Sequence, residues 1–218
     1  LADLLAELEA TSGRDLETWA EDWLRTAGVA TLRPVVETDA DDVVTSCAIL
    51  QEVPAEHPRH RSHRLAVGCY DLVDGRLHRS RRIELDVAGP RTEVPDLVGH
   101  PRPQLLLVND DDLAYAKIRL DDRSLATAVD HLGHFESCLP RTLVWGAAWD
   151  MTRDAELGAR EYVDLLLDNT ASFCNPSVAQ TLLRQLSTTV QFYVAPENRP
   201  QTQVRVATRL QELLTQAA

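Results

Sequence analysis

Leu65-Ala-Val-Gly-Cys-Tyr-Asp-Leu-Val73, then Asp74-Gly75, then Arg76-Leu-His-Arg-Ser-Arg-Arg-Ile-Glu-Leu-Asp-Val87 is the stretch whose reading decides the fold. Ile83, Leu85 and Val87 alternate with Arg82, Glu84 and Asp86, the period of two that sends successive side chains to opposite faces of a strand. Asp-Gly between two such runs predicts a hairpin, because both central positions of a type I′ turn need positive φ. Upstream, Val43, Thr45, Cys47 and Ile49 alternate with Val44, Ser46 and Ala48 in the same way. Pro54, Pro58, Pro90, Pro95, Pro101 and Pro103 fall between strand candidates. About seven short strands over residues 29–120 predict a small antiparallel β-sandwich.

On both sides the period changes to that of a helix. In residues 1–28, Leu1, Leu4, Leu5 and Leu8 recur at helical spacing up to Gly13. Asp15 is placed to cap a second helix carrying Leu16, Trp19, Ala20, Trp23 and Leu24 on one face, with Gly28 beyond its end. So short a pair cannot bury that stripe alone, so a partner is expected upstream. A chain that starts at Leu1 rather than Met fits that expectation.

Residues 121–218 predict five helices: one capped by Asp121 or Asp122 and ending at Gly133, one with Pro140 in its first position, and one capped by Asp154. The fourth opens at Asn175-Pro176 and the fifth at Pro200. Short connections between them predict a helical-hairpin array of the armadillo/HEAT-like superhelix kind. The fold class is α+β multidomain: 1–28 as terminal helices of an upstream catalytic domain, 29–120 as the sandwich, and 121–218 as the first part of a helical domain.

Hydrophobic content of 44% and charged content of 26% are ordinary globular values. The net charge of −12 is spread as −5, −3 and −4 over the three stretches, so no basic face is available for nucleic acid. Lys117 is the only lysine and reads as a trace of coding composition. No apolar run reaches a membrane span and no signal peptide opens the chain, which predicts no membrane partner and a cytoplasmic location. Cys47, Cys69, Cys138 and Cys174 form no C-x-x-C pair and read as free buried thiols.

The tempting constellation is His57, His60 and His63 in EHPRHRSHR, where Glu56 could join three imidazoles around a metal. A catalytic zinc needs ligands held on regular structure, and this segment is proline-punctuated and Arg-rich, so a solvated loop is the preferred reading. None of the seven histidines is followed by Glu, so H-E-x-x-H is absent. His131 and His134 read as favourable groups at a helix C-terminus. No nucleophile elbow, Walker loop or dinucleotide fingerprint occurs. Asp110-Asp111-Asp112 reads as a polar turn rather than a calcium loop, and Trp145 with Trp149 reads as core.

Three phrases in order carry a resemblance. Ser12-Gly13-Arg14-Asp15-Leu16 with Trp19, Trp23-Leu24 and Gly28 is similar to the last catalytic-domain helices of the aminopeptidase N family of zinc metallopeptidases. Leu107-Val108-Asn109 through Tyr115-Ala116-Lys117-Ile118-Arg119-Leu120-Asp121 resembles that family's "N…GYYRVNYD" phrase. Leu139-Pro140-Arg141 with Leu143 through Leu166 resembles the helices that open its C-terminal domain. The resemblance implies a parent with an N-terminal β domain, a thermolysin-like zinc domain, a small sandwich and a helical bowl. It implies zinc as the parent's cofactor, peptides as its substrates, and the upstream catalytic domain as this region's partner. The family's zinc ligands, its G-A-M-E-N segment and its tyrosine carry over onto no position here, and the only methionine is Met151, in Asp150-Met151-Thr152. Hence no catalytic, metal-ligating or substrate-binding residue and no cofactor is assigned in this chain. The reading is a structural, bridging fragment of an aminopeptidase. Its rivals are a stand-alone protein-interaction module and a small metalloenzyme built on the His57 loop.

Overall fold

The β3–β4 hairpin organises everything around it. In a computed structural model that describes residues 1–169, 173 and 175–217, β3 (His63–Val73) pairs antiparallel with β4 (Arg76–Val87) across Asp74 and Gly75. Their φ angles of 50° and 76° are those of the type I′ turn that Asp-Gly predicts. β6 (Leu105–Asp110) pairs with the other edge of β3, giving the sheet order β4-β3-β6. A second sheet has the order β5-β2-β1-β7, built from β1 (Thr31–Thr38), β2 (Val44–Glu52), β5 (Arg91–Glu93) and β7 (Lys117–Ile118).

The two sheets share one buried cluster: Leu32, Cys47 and Ile49 from one meet Leu65, Val67, Ile83 and Val108 from the other. On β2 the alternation breaks, because Val44 joins the core instead of Val43. A bulge opposite Glu37 and Thr38 inserts one residue between Val44 and Ser46 and so resets the phase of the strand. One pairing corrects the all-antiparallel expectation: β7 runs parallel to β1. Only a tight hairpin forces antiparallel pairing, and β7 arrives from the opposite sheet through residues 111–116, free to take either direction.

Every residue of β6 is buried, as is β3 from Leu65 to Tyr70. Leu106 and Val108 face the other sheet, whereas Leu105, Leu107 and Tyr70 belong to a second cluster with Leu132, Trp145 and Tyr162 of the helical part. The sheet β4-β3-β6 is therefore a middle layer, apolar on both sides.

Among the described residues the helices are α1 (Ala2–Ser12), α2 (Glu17–Leu24), α3 (Asp122–His131), α4 (Cys138–Arg153), α5 (Ala159–Asp168), α6 (Pro176–Thr188) and α7 (Arg199–Ala217). Asp121 caps α3 by accepting from Ser124 N–H at 2.8 Å, and Asn175 caps α6 by accepting from Val178 N–H at 2.9 Å, both as predicted. Pro140 lies inside the first turn of α4 rather than opening it, where its missing N–H leaves no bond unmade. Asp154 does not cap α5. It closes α4, and α5 starts beyond it, with Glu161 accepting from Gly158 N–H at 2.9 Å. Trp145 is fully buried and Trp149 packs on Tyr162, the core roles expected of both.

Cys47 and Cys69 are free and buried, and burial pushes their thiols up to about 11 and about 12. Cys138 corrects the free-thiol reading, being disulfide-bonded; separation in sequence says nothing of proximity in space. Cys174 lies outside the described residues. Among those residues no helix is long and apolar enough to cross a membrane.

Candidate functional site

The histidine segment docks a helix. His57 is exposed, His60 half-buried, and His63 opens β3 as a buried residue. The His63 ring meets the edge of Trp23 at 5.2 Å, and neither of its nitrogens has a hydrogen-bond partner. Burial first, and then the charge of Arg61, lowers its proton affinity below the ordinary histidine value. The three imidazoles do not converge, and among the described residues no three His, Cys, Asp or Glu side chains are grouped so as to hold a metal ion. These residues do not fit the zinc centre that the resemblance implies for the parent.

Arg61 carries the contact. Only 5% exposed, it donates from Nε to the Asp22 carbonyl at 2.6 Å and from its two terminal nitrogens to the carbonyls of Gly28, Thr26 and Ala27 at 2.7–3.1 Å. Asp22 lies in the last turn of α2, and Thr26, Ala27 and Gly28 in the chain that leaves it, so the guanidinium gathers carbonyls at and just beyond the negative end of the helix dipole. The guanidinium lies 5.4 Å from the Trp23 ring centroid. Gln51 of β2 fixes the Arg61 backbone, accepting its N–H at 2.8 Å and donating to its carbonyl at 3.0 Å. Gly28 is required here, since its φ is +91° and a Cβ on it would stand 2.7 Å from His57 Cβ. Beyond this clamp α1 buries no residue, and Leu1, Leu4, Trp19 and Leu24 are exposed.

A second junction joins sheet to helices through alternating charges. Arg33 Nε donates to Glu52 at 2.8 Å and its Nη2 to Glu156, also at 2.8 Å. Arg119, nearly wholly buried, donates to Glu156 at 2.9 Å and to Asp154. Lys117 Nζ reaches both Asp154 oxygens, at 2.8 and 3.0 Å. Burial works to raise both carboxyls, but hydrogen bonds from Lys117 and Arg119 hold Asp154 low, and bonds from Arg33 and Arg119 do the same for Glu156. Lys117, read from sequence as incidental, thus pins β7 to the end of α4.

The acidic run is neutralised in place. Asp110, fully buried, accepts from the Tyr70 hydroxyl and from Arg79, each at 2.9 Å, while Asp111 accepts from Arg79 and Arg82, each at 2.7 Å. With the carboxylates of Asp110 and Asp111 committed to Tyr70, Arg79 and Arg82, these two residues are not free to ligate a calcium ion. Burial pushes the Tyr70 hydroxyl far up, so it stays a neutral donor beside a cavity of about 210 Å³. An open apolar groove of about 610 Å³, lined by Leu183, Leu186, Val190, Val206 and Leu210, runs between α6 and α7.

No described cluster brings a nucleophile, a base and an oxyanion donor together; the geometry builds joints. Sequence reasoning missed Arg61, Gln51 and Glu156, whose local signal was only a charge or an amide in a polar stretch, and it gave Asp154 a capping role in place of its ion pairs with Lys117 and Arg119. Residues 105–218 match the model of the ERAP1-like C-terminal domain family. The chain is also 53% identical, over 206 residues and 91% of its length, to an aminopeptidase N of Streptomyces lividans. It spans 24% of that relative's length.

Proposed function

The chain belongs to the ERAP1-like C-terminal domain family and corresponds to a C-terminal region of an aminopeptidase N, and from that premise we propose that it is the bridging part of a zinc-dependent aminopeptidase. In this reading, the full-length protein removes amino-terminal residues from peptides. Residues 1–28 close its catalytic domain, residues 29–120 form the linking sandwich, and residues 121–218 begin a superhelical bowl that limits access to short or unfolded peptides. The acidic balance favours peptides with cationic amino termini. Zinc and the catalytic groups belong to the upstream domain.

One observation carries the bridging role: the outer face of β3 and β6 shares a buried cluster with α3, α4, α5 and α6, so the helices cannot turn independently of the sheet. The exposed apolar stripe of α1 and α2 supports a partner upstream. The test compares this chain with the full-length protein on aminoacyl arylamides. Turnover is expected only in the full-length protein, and chelator-sensitive turnover by the chain alone would overturn the reading. Trp19→Ala separates it from a stand-alone interaction module. Greater destabilisation of the full-length protein than of the chain is expected, and equal destabilisation would favour the module.

A further inference from the structure

The turn between α3 and α4 holds a feature that the bridging role does not use. α3 ends at His131, and a single 3₁₀ turn, Leu132–His134, follows. In 3₁₀ geometry residues three apart eclipse one another, which stacks the two imidazoles on one face. Their Nδ1 atoms stand 3.4 Å apart, with ring centroids 5.5 Å apart and planes inclined by 34°. Two nitrogens each about 2.05 Å from a tetrahedral metal ion stand about 3.3 Å apart. The observed separation is that bite.

We propose that His131 and His134 form a two-histidine site for a borderline divalent cation of the zinc, nickel and copper class. Imidazole nitrogen suits these ions, whereas magnesium and calcium prefer oxygen. The ligands are held in advance by a fixed turn. Leu132 and Phe135 are buried on the inner side, Phe135 packs edge-on against Tyr70 at 5.0 Å, and Gly133 N–H donates to Asn169 Oδ1 at 3.0 Å. Outwardly, His134 is exposed and His131 half-buried, so the face between them opens to solvent. Without metal, one ring donates from Nδ1 to the other. On binding, that proton moves through solvent to Nε2 of the same ring and both Nδ1 lone pairs face the ion; each ring stays neutral, the complex gains the ion's two positive charges, and no oxidation state changes. Water fills the remaining positions, since no third His, Cys, Asp or Glu joins the pair among the described residues. The net charge of −12 raises the local concentration of cations. Binding to the folded state alone stabilises that state by mass action.

The proposal does not rest on the aminopeptidase reading, and its test needs no enzymatic activity. Zn²⁺ alone is titrated into the purified chain by calorimetry and followed by long-range imidazole proton–nitrogen NMR. Saturation at about one equivalent is expected, with the Nδ1 signals of both histidines shifting together. His131→Ala and His134→Ala should each weaken affinity by about tenfold or more, whereas a His57→Ala/His60→Ala double variant should leave it unchanged. His134→Asn, at an exposed position, keeps the test usable if His131→Ala fails to fold. A shift of only one Nδ1, an affinity indifferent to His134→Asn, or a loss confined to the His57/His60 variant would overturn the proposal.

Discussion

The two junctions of the β layer are built on opposite principles. At its start, α2 is held by the Arg61 guanidinium on carbonyls at and beyond its last turn, by the Arg59–Asp22 ion pair and by the Trp23–His63 edge contact, with little apolar surface beneath. At its far side, the helices lie on β3 and β6 over a continuous apolar cluster, and the ionic ladder from Glu52 to Lys117 only trims the edge. The first joint is directional and local. The second is non-directional and shares the stability of the whole.

The largest test strikes the second joint. Leu107→Ala removes a fully buried side chain facing the helices and should cost about 2–5 kcal/mol in urea unfolding, with sheet and helices lost in one transition. Two separate transitions would break the contrast. Arg61→Ala comes next: it leaves partly buried carbonyls without their donor and should cost about 1–3 kcal/mol. Its effect should appear as faster hydrogen exchange in α2 while β3 amides stay protected, and exchange rising everywhere would count against a local clamp.

Acid sharpens the contrast. Because His63 binds a proton less readily when folded, the unfolded chain takes up that proton first as the pH falls below about 6.5. Stability at this site is therefore complete above that pH, declines below it, and stops declining once the folded His63 also protonates. Besides burial, the positive charge of Arg61 opposes protonation of the His63 ring. His63→Phe should flatten the dependence of the urea midpoint between pH 7.5 and 5.5. An unchanged slope would show that other groups carry it. The smallest effect belongs to Glu156→Gln, about 1 kcal/mol and shrinking in high salt, because the ladder is partly solvated.

Much of the fold was legible because it is local. Asp74-Gly75 needs positive φ wherever it sits, and Asp121 and Asn175 cap from their own side chains. The phase of β2 was not legible, because a bulge depends on the partner strand, and the direction of β7 depends on a strand far away in sequence. Asp154 carries the signal of an N-cap, yet its oxygens go to Lys117 and Arg119, a competition that only the folded chain reveals. Of the candidate site, the EHPRHRSHR segment was visible as a place of interest. That its arginine matters more than its histidines follows from carbonyls more than thirty residues away, which no spacing rule reaches.

The parallel β1–β7 pairing has a mechanical consequence. The chain leaves the β layer beside the point where it came in: Lys117 N–H donates to the Ala30 carbonyl and Arg119 N–H to the Leu32 carbonyl, each at 2.9 Å. Tension applied between α2 and α3 would load the Arg61 clamp on residues 22–28 and pull β1 and the two-residue β7 past one another in shear, stressing both of those bonds together. The β layer is an excursion closed by a two-rung latch, and the helices on either side are tethered across a single strand spacing of about 4.8 Å.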